Sequence, residues 1–183
     1  PAWNLQPHHR VLFHAPHAFD ASTYEIWAPL LNGAQLVIAP PETIDTTALA
    51  QLIPTHHITH LSLTAGMFRV VVEEDVHSLT GLTEVTTGGD TISPTAVDHL
   101  LTTHPHIIVR TTYGPTETTL CATQQPWTHT HKPAGSVPLG RAMHHTGLLL
   151  LDHHLQPVPP GVQGELYITG TGLARGYTHQ PAL

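Results

Sequence analysis

Three short stretches carry the residues best suited to chemistry. The first is Thr111-Thr112-Tyr113-Gly114-Pro115-Thr116-Glu117-Thr118-Thr119, where a strand ends, the chain turns at Gly-Pro, and a hydroxyl and a carboxylate follow side by side. Thr116 can donate to a phosphate oxygen. Glu117 can hold Mg²⁺, a hard cation that prefers carboxylate and phosphate oxygens. Tyr113 offers a flat face on which a base can stack. A plain tight turn with an exposed carboxylate would use the same residues. The second stretch is Gly88-Gly89-Asp90, where missing Cβ atoms would let a ligand approach the backbone closely. The third is Gly164-Glu165-Leu166-Tyr167-Ile168-Thr169-Gly170-Thr171-Gly172-Leu173-Ala174-Arg175-Gly176-Tyr177. Its Gly170-x-Gly172 pair resembles a phosphate loop. The spacing nevertheless misses GxGxxG, and no Lys-Ser/Thr follows as a Walker A loop requires. Alone, it reads as a strand, a turn and a second segment.

The 18 histidines suggest a metal. Their spacing argues against one. His8–His9, His56–His57, His144–His145 and His153–His154 are adjacent pairs, and neighbours point apart on a strand and share no helix face. No HExxH is present. His104 and His106, or His129 and His131, could share a strand face, but neither pair has a thiol or carboxylate beside it. The histidines are expected to be surface residues, and zinc is expected to leave the melting temperature unchanged. A large zinc-induced rise would overturn that.

These stretches need elements to position them. Val11-Leu12-Phe13 reads as a buried strand. Asp20-Ala21-Ser22 offers N-caps for a helix carrying Tyr24, Ile26, Trp27, Leu30 and Leu31, kinked at Pro29 and closed by Asn32-Gly33. Leu36 to Ala39 is a second strand. Asp45 caps a helix expected to end at Pro54, and His57 to Leu63 reads as a strand. Thr64 caps the helix of Met67, Phe68, Val71 and Val72; Leu82 to Thr87 is a strand. Ser93-Pro94 opens a helix with Ala96, Val97, Leu100 and Leu101 on its inner face, and Ile107 to Val109 follows as a strand. Alternation at these lengths predicts an α/β fold, a mostly parallel sheet with helices on both faces. Ligands of such sheets bind beyond the carboxyl ends of the strands, which is where residues 19–24, 86–90 and 111–121 fall. After about Thr118 the pattern changes to strands joined by Pro/Gly turns, the start of a small distorted antiparallel barrel. We place the boundary near residue 126, giving segments 1–126 and 127–183.

Composition narrows the class. Lys and Arg number 6 in 183 residues and the formal charge is −7, so the basic footprint of a nucleic-acid binder is missing. No run of about 18 apolar residues suggests a membrane span. One cysteine, Cys121, allows no internal disulfide and suits a reducing compartment, so a cytoplasmic setting is expected. Pro1 and Leu183 look like cut points, and the chain is read as a fragment.

Taken in order, the motifs resemble the adenylation domains of nonribosomal peptide synthetases. Phe19-Asp20-Ala21-Ser22 matches FDxS, Tyr113-Gly114-Pro115-Thr116-Glu117 matches NxYGPTE, and Gly164–Tyr177 matches GELxIxGxGLARGY. The first NxYGPTE position is Thr111 rather than Asn, which weakens any adenine contact assigned there. The resemblance implies that Asp20 grips a substrate α-ammonium and that Phe19 lies beside the substrate carboxylate. Gly88, Gly89, Asp90, Thr112, Tyr113 and Gly114 would frame the nucleotide, with Thr116 at a phosphate and Glu117 on Mg²⁺. Asp20, Ala21, Tyr24, Ser62, Thr86, Gly88, Thr112, Leu120 and Cys121 would line the amino-acid pocket; Leu120 and Cys121 would also serve as ordinary core. One anchoring carboxylate with no second charge disfavours charged substrates. Gly88 would leave room at one wall, and an aromatic or hydroxylated aromatic amino acid is expected. Cys121 is then a wall, with no histidine placed to activate it.

The resemblance implies two half-reactions: ATP and an amino acid give aminoacyl-AMP and pyrophosphate, then the acyl group passes to the phosphopantetheine thiol of a carrier protein. Peptidyl carrier and condensation domains are the implied partners. Residues 1–183 alone are expected to be inactive, because the family's phosphate loop and catalytic Lys are not among them. An acyl- or aryl-CoA ligase of the same superfamily is the competing enzyme reading, and Asp20 is the discriminator, since such substrates have no α-amine. A His-rich metal-binding module is the non-enzymatic alternative.

Overall fold

The computed structural model describes residues 3, 5–41 and 44–180; Pro1 and Leu183 lie outside these. Five parallel strands come first: β1 (Arg10–Phe13), β2 (Gln35–Ile38), β3 (His60–Thr64), β4 (Glu84–Gly88) and β5 (Ile108–Tyr113). Then β6 (Thr123–Trp127) and β7 (Arg141–Ala142) add antiparallel, in the order β2-β1-β3-β4-β5-β6-β7. Strands β8 (Thr146–Leu151) and β9 (Glu165–Gly170) form a separate antiparallel pair. The expected α/β class, parallel sheet and smaller antiparallel element are all present.

Helices α1 (Ala21–Leu31), α2 (Thr46–His56), α3 (Ala65–Asp75) and α4 (Pro94–Thr103) fill the crossovers. Three caps form as their sequences predict: Asp45 accepts from the Ala48 N–H, Thr64 from Met67 and Ser93 from Ala96. The boundaries around Pro54 differ from expectation. Helix α2 runs past Pro54 to His56, because proline clashes with the turn before it, not the turn after. His57 then ends the helix in the left-handed conformation (φ 51°), so β3 starts three residues later than predicted. Helix α1 runs through Pro29 to Leu31 and ends at Asn32, as its sequence predicts.

Alternation in the strands separates two faces. On one, Leu61, Val85 and Val109 meet Leu49 and Ile53 of α2, Phe68 of α3 and Val97 of α4 in one apolar core. On the other, the side chains are polar: Ser62, Glu84, Thr86, Arg110 and Thr112, with Tyr24 of α1 above them. Arg110 and Glu84 are both buried there and form a two-pronged ion pair, Nε to Oε1 at 2.7 Å and Nη2 to Oε2 at 2.8 Å.

His60 lies beside this pair, its ring 4.4 Å from that of His9. Burial first, then His9 and Arg110, push its pKa down from 6.5 to about 3; burial also lowers His9 and His104. The unfolded chain therefore binds more protons below pH 6.5. Stability should fall as pH drops from about 6.5 towards 3. Denaturant melts across that range should show it, and His60→Asn should flatten part of the slope.

Candidate functional site

The functional stretches converge at the carboxyl end of the parallel strands. Gly88 ends β4 beside Thr112 of β5 in register. The chain then leaves β5 through Tyr113-Gly114-Pro115 into a single 3-10 turn, Thr116–Thr118. Thr119 (φ 60°) and Leu120 (φ 67°) are both left-handed, an uncommon conformation for non-glycine residues that costs of order 1–3 kcal/mol each. Gly114 permits this fold-back: a Cβ there would sit 2.6 Å from the Ala122 nitrogen.

Asp20 stands at the N-cap of α1, but its side chain makes no capping bond. Its Oδ2 instead accepts the Thr116 hydroxyl at 2.7 Å, across 96 residues of sequence. Ser22 is turned back on the Phe19 carbonyl, to which its hydroxyl donates at 2.7 Å. Phe19 itself is exposed. Ala21 opens α1, and Tyr24, one turn on, is buried, hydrogen-bonded with Thr86 and packed at 4.5 Å against the Trp3 ring. Burial raises its phenol pKa well above normal. The Ser62 carbonyl is held by the His14 ring at 2.7 Å.

Gly88 differs from expectation in one respect. A Cβ there would lie 2.5 Å from the Thr112 carbonyl oxygen, so the close approach of β5 already occupies the space where a side chain would go. Cys121 and Thr112 are hydrogen-bonded, and burial pushes the thiol up to about 11, which keeps it protonated and inert near neutral pH.

Beside these residues lies a cavity of about 500 Å³ between Gly89-Asp90 on one side and Tyr113-Gly114 on the other. Part of its wall is Val137, Pro138 and Leu139, which the sequence shows only as part of a turn. That volume suits a ligand of nucleoside size.

The third motif closes the constellation from outside. The Thr119 hydroxyl donates to the Gly172 carbonyl at 2.7 Å, and the Ala174 N–H donates to the Glu117 carbonyl at 2.7 Å. The Tyr177 hydroxyl donates to Glu117 Oε1. So the segment around the Gly170-x-Gly172 turn is bonded to the first motif through Gly172 and Ala174. The Tyr177 bond holds the exposed Glu117 carboxyl below its usual range. Tyr177→Phe should raise the Glu117 pKa, as an NMR titration of its side-chain carbon would show; an unmoved pKa would mean the bond does not persist in solution. Among the described residues, no three His, Cys, Asp or Glu side chains gather to hold a metal ion. Glu117 is an exposed carboxylate in the constellation beside Asp20 and Asp90, and a single such donor fits a magnesium whose other ligands are phosphate oxygens and water.

The sequence did not single out Glu84, Arg110 or Gln124. Two opposite charges at alternating positions of neighbouring strands were the available signal.

A family model described as AMP-binding enzyme matches residues 1–178. The chain belongs to this family. It is 44% identical over 166 residues to one of the linear gramicidin synthase proteins of Brevibacillus parabrevis, covering 91% of this chain and 3% of that protein. It is 41% identical along its whole length to the dimodular nonribosomal peptide synthase of Bacillus subtilis (strain 168), of which it covers 8%. Among solved structures, holo-PA1221, an NRPS protein containing adenylation and PCP domains, superimposes with a TM-score of 0.91 at 36% identity over 97% of this chain and 31% of that one. The N-terminal subdomain of Klebsiella oxytoca NpsA superimposes at 0.86 with 32% identity, over 97% and 46% of the two chains. This AMP-binding chain thus spans a small part of the synthetases it matches. None of its described helices is long and apolar enough to cross a membrane.

Proposed function

We propose that this chain supplies the amino-acid pocket and half of the nucleotide site of an amino-acid-activating adenylation domain in nonribosomal peptide synthesis. The observation that carries the reading is the 2.7 Å bond between Asp20 and Thr116. It sets the residue expected to take an α-ammonium directly against the residue expected to take a phosphate. An amino acid anchored at Asp20 would therefore present its carboxylate towards a nucleotide seated beside Tyr113 and Thr116. A carboxylate oxygen then attacks the α-phosphorus of ATP, an acyl-phosphate bond forms, and pyrophosphate leaves. This chain's part is positioning and charge pairing. Tyr113, Gly89 and Asp90 flank the base, Thr116 donates to a phosphate oxygen, and Glu117 would hold Mg²⁺. That ion, when bound, neutralises phosphate charge. The acyl group passes next to the phosphopantetheine thiol of a carrier domain, with condensation and carrier domains as partners.

The pocket residues are neutral apart from Asp20, which favours an uncharged side chain; hydroxyls of Ser62, Thr86 and Thr112 suit an aromatic or hydroxylated aromatic residue. Residues 1–126 carry this pocket and residues 127–183 the β-rich segment. The test is ATP–pyrophosphate exchange by the full-length enzyme, driven by amino acids and by the matching des-amino acids. Amino-acid-dependent exchange supports the reading. Equal exchange with the des-amino acids would assign an acyl- or aryl-CoA ligase instead.

A further inference from the structure

The Glu84–Arg110 pair needs a reason. Taking two charges out of water is costly, and apolar residues of the same shape often replace a buried pair with no loss of stability. Here the pair makes a defined shape. Arg110 reaches back to both Glu84 oxygens, at 2.7 and 2.8 Å, and forward to Gln124 Oε1 at 2.8 Å. Its guanidinium carbon lies 5.3 Å from the centre of the Trp3 ring, and Trp3 in turn packs 4.5 Å from Tyr24. All this happens on the pocket side of the sheet, one alternation before Thr86 on β4 and before Thr112 on β5. Tyr24 is in turn hydrogen-bonded with Thr86 itself.

We propose that Arg110, fixed by Glu84 and Gln124, is a positioning residue for the amino-acid pocket, holding Trp3 and through it the Tyr24 wall at a set depth. The inference rests on the adenylation reading above. The planar fork matters as well as the charge. Lysine cannot hold two carboxylate oxygens and an amide at once while resting over an indole. Without the fork, Tyr24 loses its backing, and the pocket loses the shape that selects its substrate.

The test is exchange kinetics in the full-length enzyme, with Arg110→Lys and with the double variant Glu84→Leu/Arg110→Met. The double variant removes both charges, so no unpaired ion is left buried. In both, KM for the amino acid should rise about tenfold or more, with KM for ATP within about twofold, the pattern of lost substrate positioning. Amino acids with longer side chains should gain relative to the preferred one. An unchanged KM for the amino acid, a parallel rise in both KM values, or failure of both variants to fold would each reduce the pair to a structural role and overturn the proposal. Absence of amino-acid-dependent exchange in the unaltered enzyme would instead overturn the adenylation reading.

Discussion

Asp20→Ala in the full-length enzyme is expected to lower kcat/KM for the amino acid by a hundredfold or more. An ionised group that loses its hydrogen-bonded partner in a desolvated site forfeits about 2–5 kcal/mol, and each 1.4 kcal/mol is roughly a factor of ten. The structure separates this loss from a folding defect. Asp20 sits where a helix cap would be, yet its carboxylate caps nothing and is spent on Thr116. Removing it should leave stability within about 0.5 kcal/mol, as for a surface residue. Des-amino substrates should be indifferent to the change. Equal losses with amino and des-amino acids would mean that Asp20 acts on the protein and not on the ammonium.

The second large effect is on stability. Glu84→Ala is expected to cost about 3–5 kcal/mol, because Arg110 would remain buried with its carboxylate gone. The double variant Glu84→Leu/Arg110→Met should recover most of that. Denaturant unfolding of the two proteins decides it. If the single and double variants lose the same amount, the cost comes from packing and the ion pair has no special part in it.

Much of this fold is legible in the sequence because its signals are local. Asp45, Thr64 and Ser93 precede their helices by the distances a capping side chain spans, and all three caps form. The strands that end at Gly88 and Tyr113 were readable from short apolar runs broken by Gly and Pro. The illegible parts depend on register between distant segments. Nothing near Asp20 says that Thr116 will take its carboxylate. Nothing near Glu117 says that Tyr177, 60 residues later, will hold it. Pro54 shows a local rule applied one turn too early. Glu84 and Arg110 look like ordinary surface charges until the sheet places them on adjacent strands facing the same way.

That alternation also bears on how such a chain can change over generations. Along β4 and β5, Val85, Thr87, Val109 and Thr111 face the helices that secure the fold, while Glu84, Thr86, Arg110 and Thr112 face the ligand side. The codons for Thr86 and Thr112 can therefore vary what lines this side while Val85, Thr87, Val109 and Thr111 preserve the scaffold, whereas Glu84 and Arg110 are tied to each other and cannot change singly without loss. Change on the ligand side is thus confined to the positions that no buried partner holds in place.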